Sequence, residues 1–265
     1  MKERLALALL SGGLDSILAA AIIARQPDIY VIGYHFRHPF APELDKKGLL
    51  PAEKSAFEIG IPIIVEHDDR AFIEMVKHPK HGTGKGANPC RDCRIFIFRK
   101  AARMVERIGA DFIITGEVVG QRPMSQLKNS IDLVERESGL KRKILRPLCA
   151  KRLPPSLPET EGWIDREILF GFYGRNRKPQ IALAEKFGIR DYQSPAGGCA
   201  LTQSAFAARF EDLISHNPDA GALEIRALEF GRHYRLPGGL KLIIARDEAE
   251  SIWLAKNLAG KYRLL

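Results

Sequence analysis

The chain has 265 residues, 45% of them apolar, and carries 41 Lys and Arg against 32 Asp and Glu, a formal net charge of +9. That apolar content excludes wholesale disorder and supplies a core for one large domain, or for one of ordinary size with a smaller attachment. No apolar run reaches the roughly 18 residues of a membrane span, Asp15 interrupts the apolar start and no small-residue cleavage site follows, so the expectation is a cytoplasmic protein with no membrane partner. In that compartment Cys90, Cys93, Cys149 and Cys199 are expected to be reduced, metal-bound or catalytic.

Residues 4–10 (RLALALL) form a short run with no polar face, which suits a strand buried on both sides of a parallel sheet. Apolar residues at helical spacing follow at 15–26, and the β-branched and aromatic run 29–36 predicts a second strand. A helix at 51–60 and a third strand at 61–68 continue an alternation that signals parallel βαβ units. The Gly-, Pro- and Lys-rich stretch 77–90 predicts a loop, and 91–109 a long amphipathic helix closed by Gly109. A fourth strand is predicted at 110–117 and a fifth at 143–148, then an irregular proline-rich segment at 153–159 and a helix at 178–189. Residues 191–202 form a glycine-rich loop that carries Cys199. From 203 the pattern changes to a helix, a strand, a Pro-Gly-Gly turn at 237–239, another strand and a final helix. The fold class read from this order is α/β, a doubly wound parallel sheet over 1–202, with a small C-terminal α+β appendage over 203–265.

Residues 11–16, Ser-Gly-Gly-Leu-Asp-Ser, join the first strand to the first helix. Gly12 and Gly13 permit a tight turn and let backbone N–H groups come close to an anion. The helix that begins near Asp15 directs its positive end at the same place, and Ser11 and Ser16 add hydroxyl donors. Together they form a cradle for pyrophosphate, although the hexapeptide matches neither G-x-x-x-x-G-K-[ST] nor G-x-G-x-x-G. An acidic side chain inside such a loop repels phosphate unless a divalent cation lies between, which makes Asp15 a candidate Mg2+ ligand. The competing reading is an ordinary strand-to-helix turn with Ser and Asp as helix caps. Thr115-Gly116-Glu117 ends the fourth strand, where ligands of a doubly wound sheet collect. Gly116 leaves room for a nucleotide against the backbone, with Glu117, Gln121, Ser125 and Gln126 by the same crevice; a solvated loop is the alternative.

Cys90 and Cys93 stand in Asn-Pro-Cys-Arg-Asp-Cys, just before a helix, a spacing that serves a shared metal, a cluster or a redox pair. The helix terminus and Arg91 and Arg94 favour their thiolates. Cys199 follows Gly197-Gly198, a flexible pair that lets the thiol reach out. Three thiols without an obvious fourth ligand suit a 4Fe-4S cluster with an open iron better than tetrahedral Zn2+. A persulfide on one cysteine, resolved as a disulfide by another, needs no metal, and three unconnected thiols are the third reading. Cys149 has no motif around it and reads as a small buried residue. Basic residues gather at 141–152 and 175–178, which points to a polyanion partner.

The hexapeptide SGGLDS matches the S-G-G-x-D-S signature of the PP-loop ATP pyrophosphatase superfamily. NPCRDCR resembles the N-P-C-x-x-C segment of tRNA 2-thiouridylases. TGEVVGQRPMSQ (115–126) is similar to the segment that opens T-G-E-x-x-G-Q and closes S-Q in tRNA 4-thiouridine synthases. SPAGGCALT resembles a cysteine-bearing loop of small thiouridine-synthase-like PP-loop proteins. The resemblance covers roughly 1–202. It implies a doubly wound domain that binds ATP through Ser11, Gly12, Gly13, Asp15 and Ser16, with Gly116, Glu117 and Gln121 beside it and adenine near His35. It further implies a 4Fe-4S cluster on Cys90, Cys93 and Cys199. The N-terminal tRNA-binding region of 4-thiouridine synthases and the C-terminal barrel of 2-thiouridylases have no counterpart in the 265 residues, while EFGRHYRLPGGLKLIIARDEAES resembles part of an RNA-binding module of ribosome quality-control proteins.

The implied function is an ATP-dependent sulfurtransferase that adenylates a carbonyl oxygen of a tRNA uridine and replaces it with sulfur. Asp15, Cys90 and Cys199 take the catalytic roles, with ATP and Mg2+ as cofactors and sulfide or a persulfide carrier protein as sulfur donor. Two other readings stay open: a PP-loop enzyme that activates a small molecule for sulfur insertion or amide formation, and a non-catalytic, metal-containing RNA-binding protein. The modified nucleoside and the question of a homodimer are open as well.

Overall fold

The structure, a computed structural model, describes residues 3–41, 44–45, 47–122, 124–193 and 199–263. In chain order its strands and α-helices are β1 (Arg4–Leu9), α1 (Leu14–Ala24), β2 (Ile29–Arg37), α2 (Pro51–Glu58), β3 (Ile63–His67), α3 (Asp69–Lys77), α4 (Cys90–Ile108), β4 (Phe112–Thr115), α5 (Lys128–Glu137), β5 (Ile144–Leu145), α6 (Leu157–Thr160), α7 (Lys178–Phe187), α8 (Ser204–His216), α9 (Ala222–Ala227), β6 (Arg232–Arg235), β7 (Lys241–Ile244) and α10 (Glu248–Leu258). The chain divides into two compact units, one of Met1–Arg37, Pro42–His67 and Cys90–Gly197, the other of His38–Ala41, Asp68–Pro89 and Gly198–Leu265.

The first unit is built on a five-stranded sheet in the order β3-β2-β1-β4-β5, every pair parallel. Strands such as β1 (RLALAL) and β4 (FIIT) carry almost no polar side chain, as strands covered on both faces require. From β1 the chain winds outward through β2 to β3, then returns to β4 on the other flank of β1. Right-handed crossovers therefore set helices on opposite faces, and the order reverses between β1 and β4. Their last residues, Leu9 and Thr115, pair directly, so the segments leaving both strands start side by side. Helix α1 is apolar nearly all round, with Leu14, Ile17, Leu18, Ile22 and Ile23 buried, because it packs between the sheet and α7.

Four helices lie where the periodicity reading assigns none: α3, α5, the short α6 within the segment read as irregular, and α9 ahead of β6. Helix α3 buries Phe72, Ile73 and Val76, and α5 buries Ser130, Ile131 and Val134, each a narrow stripe on an otherwise charged segment. The fifth strand is shorter than 143–148, since only Ile144 and Leu145 pair with β4. Cys90 and Cys93 lie inside the first turn of α4 rather than before it.

In the second unit, β6 and β7 form an antiparallel hairpin around the Pro-Gly-Gly turn. Ala227, Leu254 and Leu258 form a small core there, and Phe230 stacks on Trp253 with ring centres 4.0 Å apart. Phe40 packs edge-on against Phe206 and Phe210 in the same unit. Among the described residues no helix is long and apolar enough to cross a membrane.

Candidate functional site

The turn 11–16 leaves β1 at the point where the strand order reverses, where an open α/β sheet binds its ligands. Gly12 has φ of +82°, and a Cβ there would lie 2.3 Å from Cβ of Pro51 at the start of α2, so only glycine fits. Gly13 is the N-cap of α1 and no side chain caps this helix, which removes the reading of Ser and Asp as caps. Instead the Ser16 hydroxyl donates to the Gly13 carbonyl at 2.8 Å and accepts from the Ser11 amide at 3.2 Å. The two serine hydroxyls are 3.2 Å apart. The positive end of an 11-residue helix is thus left to an anion.

Asp15, in the first turn of α1, has its two carboxylate oxygens in different states. Oδ2 accepts from Nε2 of Gln121 at 2.6 Å and lies 3.7 Å from the Arg177 guanidinium. Oδ1 is buried and has no hydrogen-bond partner among the described residues. Gln121 Oε1 accepts in turn from Nε2 of Gln180, which is wholly buried on α7. This amide relay turns the N–H of Gln121 toward the carboxylate, since an amide oxygen facing Asp15 would offer no proton. A buried carboxylate oxygen without a donor is costly, and an added hard cation would satisfy it; the donor chemistry fits Mg2+.

Gly116 stands where a Cβ would fall 2.3 Å from the backbone C and O of Asp15 and 2.5 Å from the Ser16 amide. Its small size therefore admits the start of α1. Replacing Gly116 with alanine is expected to destabilise the fold by about 3 kcal/mol, because the clash is with backbone that no rotamer change relieves; a urea titration measures it.

Glu117 is 1% exposed, and both its oxygens are engaged by arginines. Arg94 Nη2 donates at 2.5 Å and Arg146 Nε at 2.9 Å, while Arg146 Nη1 reaches Glu135 at 3.2 Å. Burial pushes the Glu117 carboxyl up, but the two guanidinium groups prevail and hold it below the usual range. The thiol of Cys149 is fully buried and donates to the Glu117 carbonyl at 3.1 Å. Burial pushes that thiol up to about 11, so it is protonated at neutral pH, a structural residue.

His35 donates from Nδ1 to the Leu10 carbonyl at 2.7 Å, and burial lowers its pKa, which keeps the ring neutral. Phe36 packs edge-on against Phe96, 5.4 Å between ring centres. Ser125 and Gln126 are buried in the turn after β4, where Gly120 N–H bonds to the Gln126 carbonyl at 2.8 Å.

Cys90 and Cys93 share one turn at the N-terminus of α4, both partly exposed. Cys199 belongs to the second unit, where the Thr202 hydroxyl donates to its carbonyl at 2.7 Å. The Gly197-Gly198 pair read as its flexible support lies outside the described residues. No disulfide joins the four cysteines. Among the described residues no group of three His, Cys, Asp or Glu side chains is assembled to hold a metal ion. Cys90 and Cys93 thus form a pair on one helical turn of the first unit, and Cys199 stands at the start of a short helical turn of the second.

The basic runs divide. Arg146 is buried in the Glu117 network and Arg177 faces Asp15, so neither belongs to a surface patch. Lys141, Arg142, Lys143, Lys151 and Arg152 remain exposed. Gln180, Arg177, Arg146 and Glu135 are the site's neighbours that motif reading did not single out. Gln180 carried a signal, since it sits three and four positions before the buried Leu183 and Ala184 on one helix face.

A family model described as ThiI, thiamine biosynthesis protein, matches residues 2–152. The tRNA-specific 2-thiouridylase MnmA of Syntrophotalea carbinolica is 33% identical over 123 residues, 43% of this chain and 35% of that protein. Its counterpart from Petrotoga mobilis is 31% identical over 134 residues, 44% of this chain and 36% of that protein. The chain thus spans about a third of the length of the curated relatives it matches. Among solved structures, a 4-thiouridine synthetase–RNA complex with bound ATP aligns with a TM-score of 0.47 at 19% identity, over 84% of this chain and 53% of that one. The U34-tRNA thiolase NcsA from Methanococcus maripaludis with its [4Fe-4S] cluster aligns with a TM-score of 0.43 at 15% identity, over 100% and 84%.

Proposed function

Because the chain belongs to the ThiI family, whose model spans more than half of it, we propose that it is an ATP-dependent sulfurtransferase that thiolates a uridine of tRNA. The observation that supports this best is the turn 11–16 at the switch point, with an uncapped helix terminus and a buried carboxylate oxygen left open on Asp15. The curated relatives are named as tRNA-specific 2-thiouridylases, which supports tRNA as the substrate.

In this reading Ser11, Gly12, Gly13 and Ser16 and the start of α1 hold the ATP phosphates. The uridine carbonyl oxygen attacks the α-phosphorus, the bond to the bridging oxygen breaks, and pyrophosphate leaves. Asp15 would hold Mg2+, which when bound would supply neutralising charge to the phosphates. The helix terminus stabilises the charge that develops as that bond breaks. The Cys90 thiolate takes the terminal sulfur of a persulfide carrier protein, whose own thiolate departs, and the persulfide so formed adds through its outer sulfur to the activated carbon; sulfide, as the alternative donor, adds to that carbon directly with no persulfide. The carbon–oxygen bond breaks and AMP departs with the original oxygen, while a second cysteine closes a disulfide on Cys90 as the sulfur leaves it. Cys90, Cys93 and Cys199 would be the thiolates that hold a 4Fe-4S cluster, which would supply an open iron for sulfide. The exposed bases at 141–143 and 151–152 meet the RNA backbone, so binding weakens as salt rises.

The family description, thiamine biosynthesis, favours a second reading in which the sulfur acceptor is a small molecule. Pyrophosphate release from ATP separates the two. The expected result is release that rises with added tRNA, and a Cys90→Ser variant that still releases pyrophosphate yet forms no thiolated nucleoside by mass spectrometry. Release indifferent to tRNA overturns the tRNA reading, and full thiolation by Cys90→Ser removes the sulfur-carrier role. Iron and acid-labile sulfide in anaerobically purified protein decide the cluster.

A further inference from the structure

Both halves of the proposed chemistry must act on one base, so the thiol pair has to be held at a set position beside the turn 11–16. The tripeptide Thr115-Gly116-Glu117 touches both. On one side Gly116 lies flat against the backbone of Asp15 and Ser16, at a separation that excludes a Cβ. On the other side the next residue, Glu117, binds Arg94, which directly follows Cys93 in the first helical turns of α4. Arg146 holds the second oxygen of Glu117 from beyond β5, so the carboxylate cannot swing away from Arg94. The Arg94 guanidinium also lies over the Phe98 ring, 5.2 Å from its centre, one turn further along α4.

We infer that Glu117 is a positioning residue: through Arg94 it fixes the cysteine-bearing turn of α4 to the end of β4, and so to the ATP-binding turn, and it makes no contact with nucleotide. The alternative assignment, Glu117 as an ATP ligand, needs a free carboxylate oxygen, and both oxygens are bound to guanidinium groups. This inference deepens the proposed function and rests on it for the identity of the ligand at 11–16.

Arg94→Gln is the variant of choice. It cuts the link to α4 and leaves the more deeply buried Glu117–Arg146 pair intact, so the fold persists; Arg94 is 26% exposed against 4% for Arg146. Two readouts separate the clamp from the function it serves. Hydrogen exchange needs no nucleotide: amides 94–97, whose helical bonds run to the carbonyls of 90–93, are expected to exchange at least tenfold faster in Arg94→Gln, with the β4 amides unchanged. Iodoacetamide alkylation of Cys90 and Cys93, with and without ATP, reads the coupling. ATP is expected to slow alkylation in the wild type and to lose most of that protection in Arg94→Gln, while the ATP Kd stays within twofold. Arg94→Lys, which keeps the charge, is expected to recover part of it. Unchanged exchange at 94–97 overturns the clamp. An ATP Kd raised tenfold, with protection intact at saturation, makes the pair a nucleotide ligand instead. Absence of ATP binding in the wild type sinks the functional reading, and the exchange result then judges the clamp alone.

Discussion

Replacing Arg146 with alanine is expected to lower the stability of the fold by about 3–5 kcal/mol, read as a shift of the urea midpoint. The side chain is 4% exposed and gives hydrogen bonds to two carboxylates, Glu117 at 2.9 Å and Glu135 at 3.2 Å. Its removal leaves Glu117 buried with Arg94 alone, and Arg94 sits on the more open side of the pair. Burial is the strongest single influence on the Glu117 carboxyl, and in the wild type the two guanidinium groups together outweigh it. The pH dependence follows with a definite sign. In the wild type the carboxyl is held below its unfolded range, so its contribution is complete at neutral pH and fades as acid takes the pH down through the folded pKa. In the variant burial prevails, the folded pKa lies above the unfolded one, and the penalty falls on the charged form. The destabilisation should therefore be larger near pH 8 than near pH 5. A loss below about 1 kcal/mol, equal at both pH values, contradicts this account of the network.

The parallel sheet was legible because β1, β2 and β4 have little or no polar face and are separated by helices at regular intervals, a pattern that strands covered on both sides produce. The turn 11–16 was legible for the same reason, a glycine pair and hydroxyls set between a buried strand and a buried helix. Arg146 was not. It stands in a basic run that reads as surface, and its burial depends on Glu117 and Glu135, 29 and 11 residues away, which no local pattern links to it. The role of Gly116 was hidden likewise: a glycine after a strand signals close approach, but only the packed sheet and helix reveal that Asp15 and Ser16 approach it. Helices α3 and α5 escaped because their buried stripes are three residues wide and their remaining positions are charged or polar. Gln180 lay in plain view on the apolar face of its helix, and a buried amide on such a face asks for a partner, which is Gln121.

Asp15→Ala is expected to lower ATP-dependent pyrophosphate release by about 100- to 1,000-fold, equivalent to about 2.7–4 kcal/mol of lost transition-state stabilisation, with the fold retained. The reason lies in the unequal oxygens of the carboxylate. Oδ2 is held by Gln121, itself fixed by Gln180, so the carboxyl plane cannot rotate, and Oδ1 is left buried and without a donor among the described residues. An oxygen kept in that state is pre-organised for a cation, and its value appears only when phosphate charge is redistributed. The loss should accordingly fall on kcat, not on ATP affinity. Affinity is expected to hold or improve, because alanine removes a negative charge from the phosphate turn and releases Arg177, now 3.7 Å from Asp15. Asp15→Asn separates charge from shape. It can keep the contact with Gln121 by presenting its amide oxygen, but it offers a cation a weaker ligand, so its Mg2+ requirement should rise while its melting temperature stays near that of the wild type. Full activity of Asp15→Asn at unchanged Mg2+ would mean that the carboxylate serves the turn's structure alone, and that the open oxygen has no part in binding a cation.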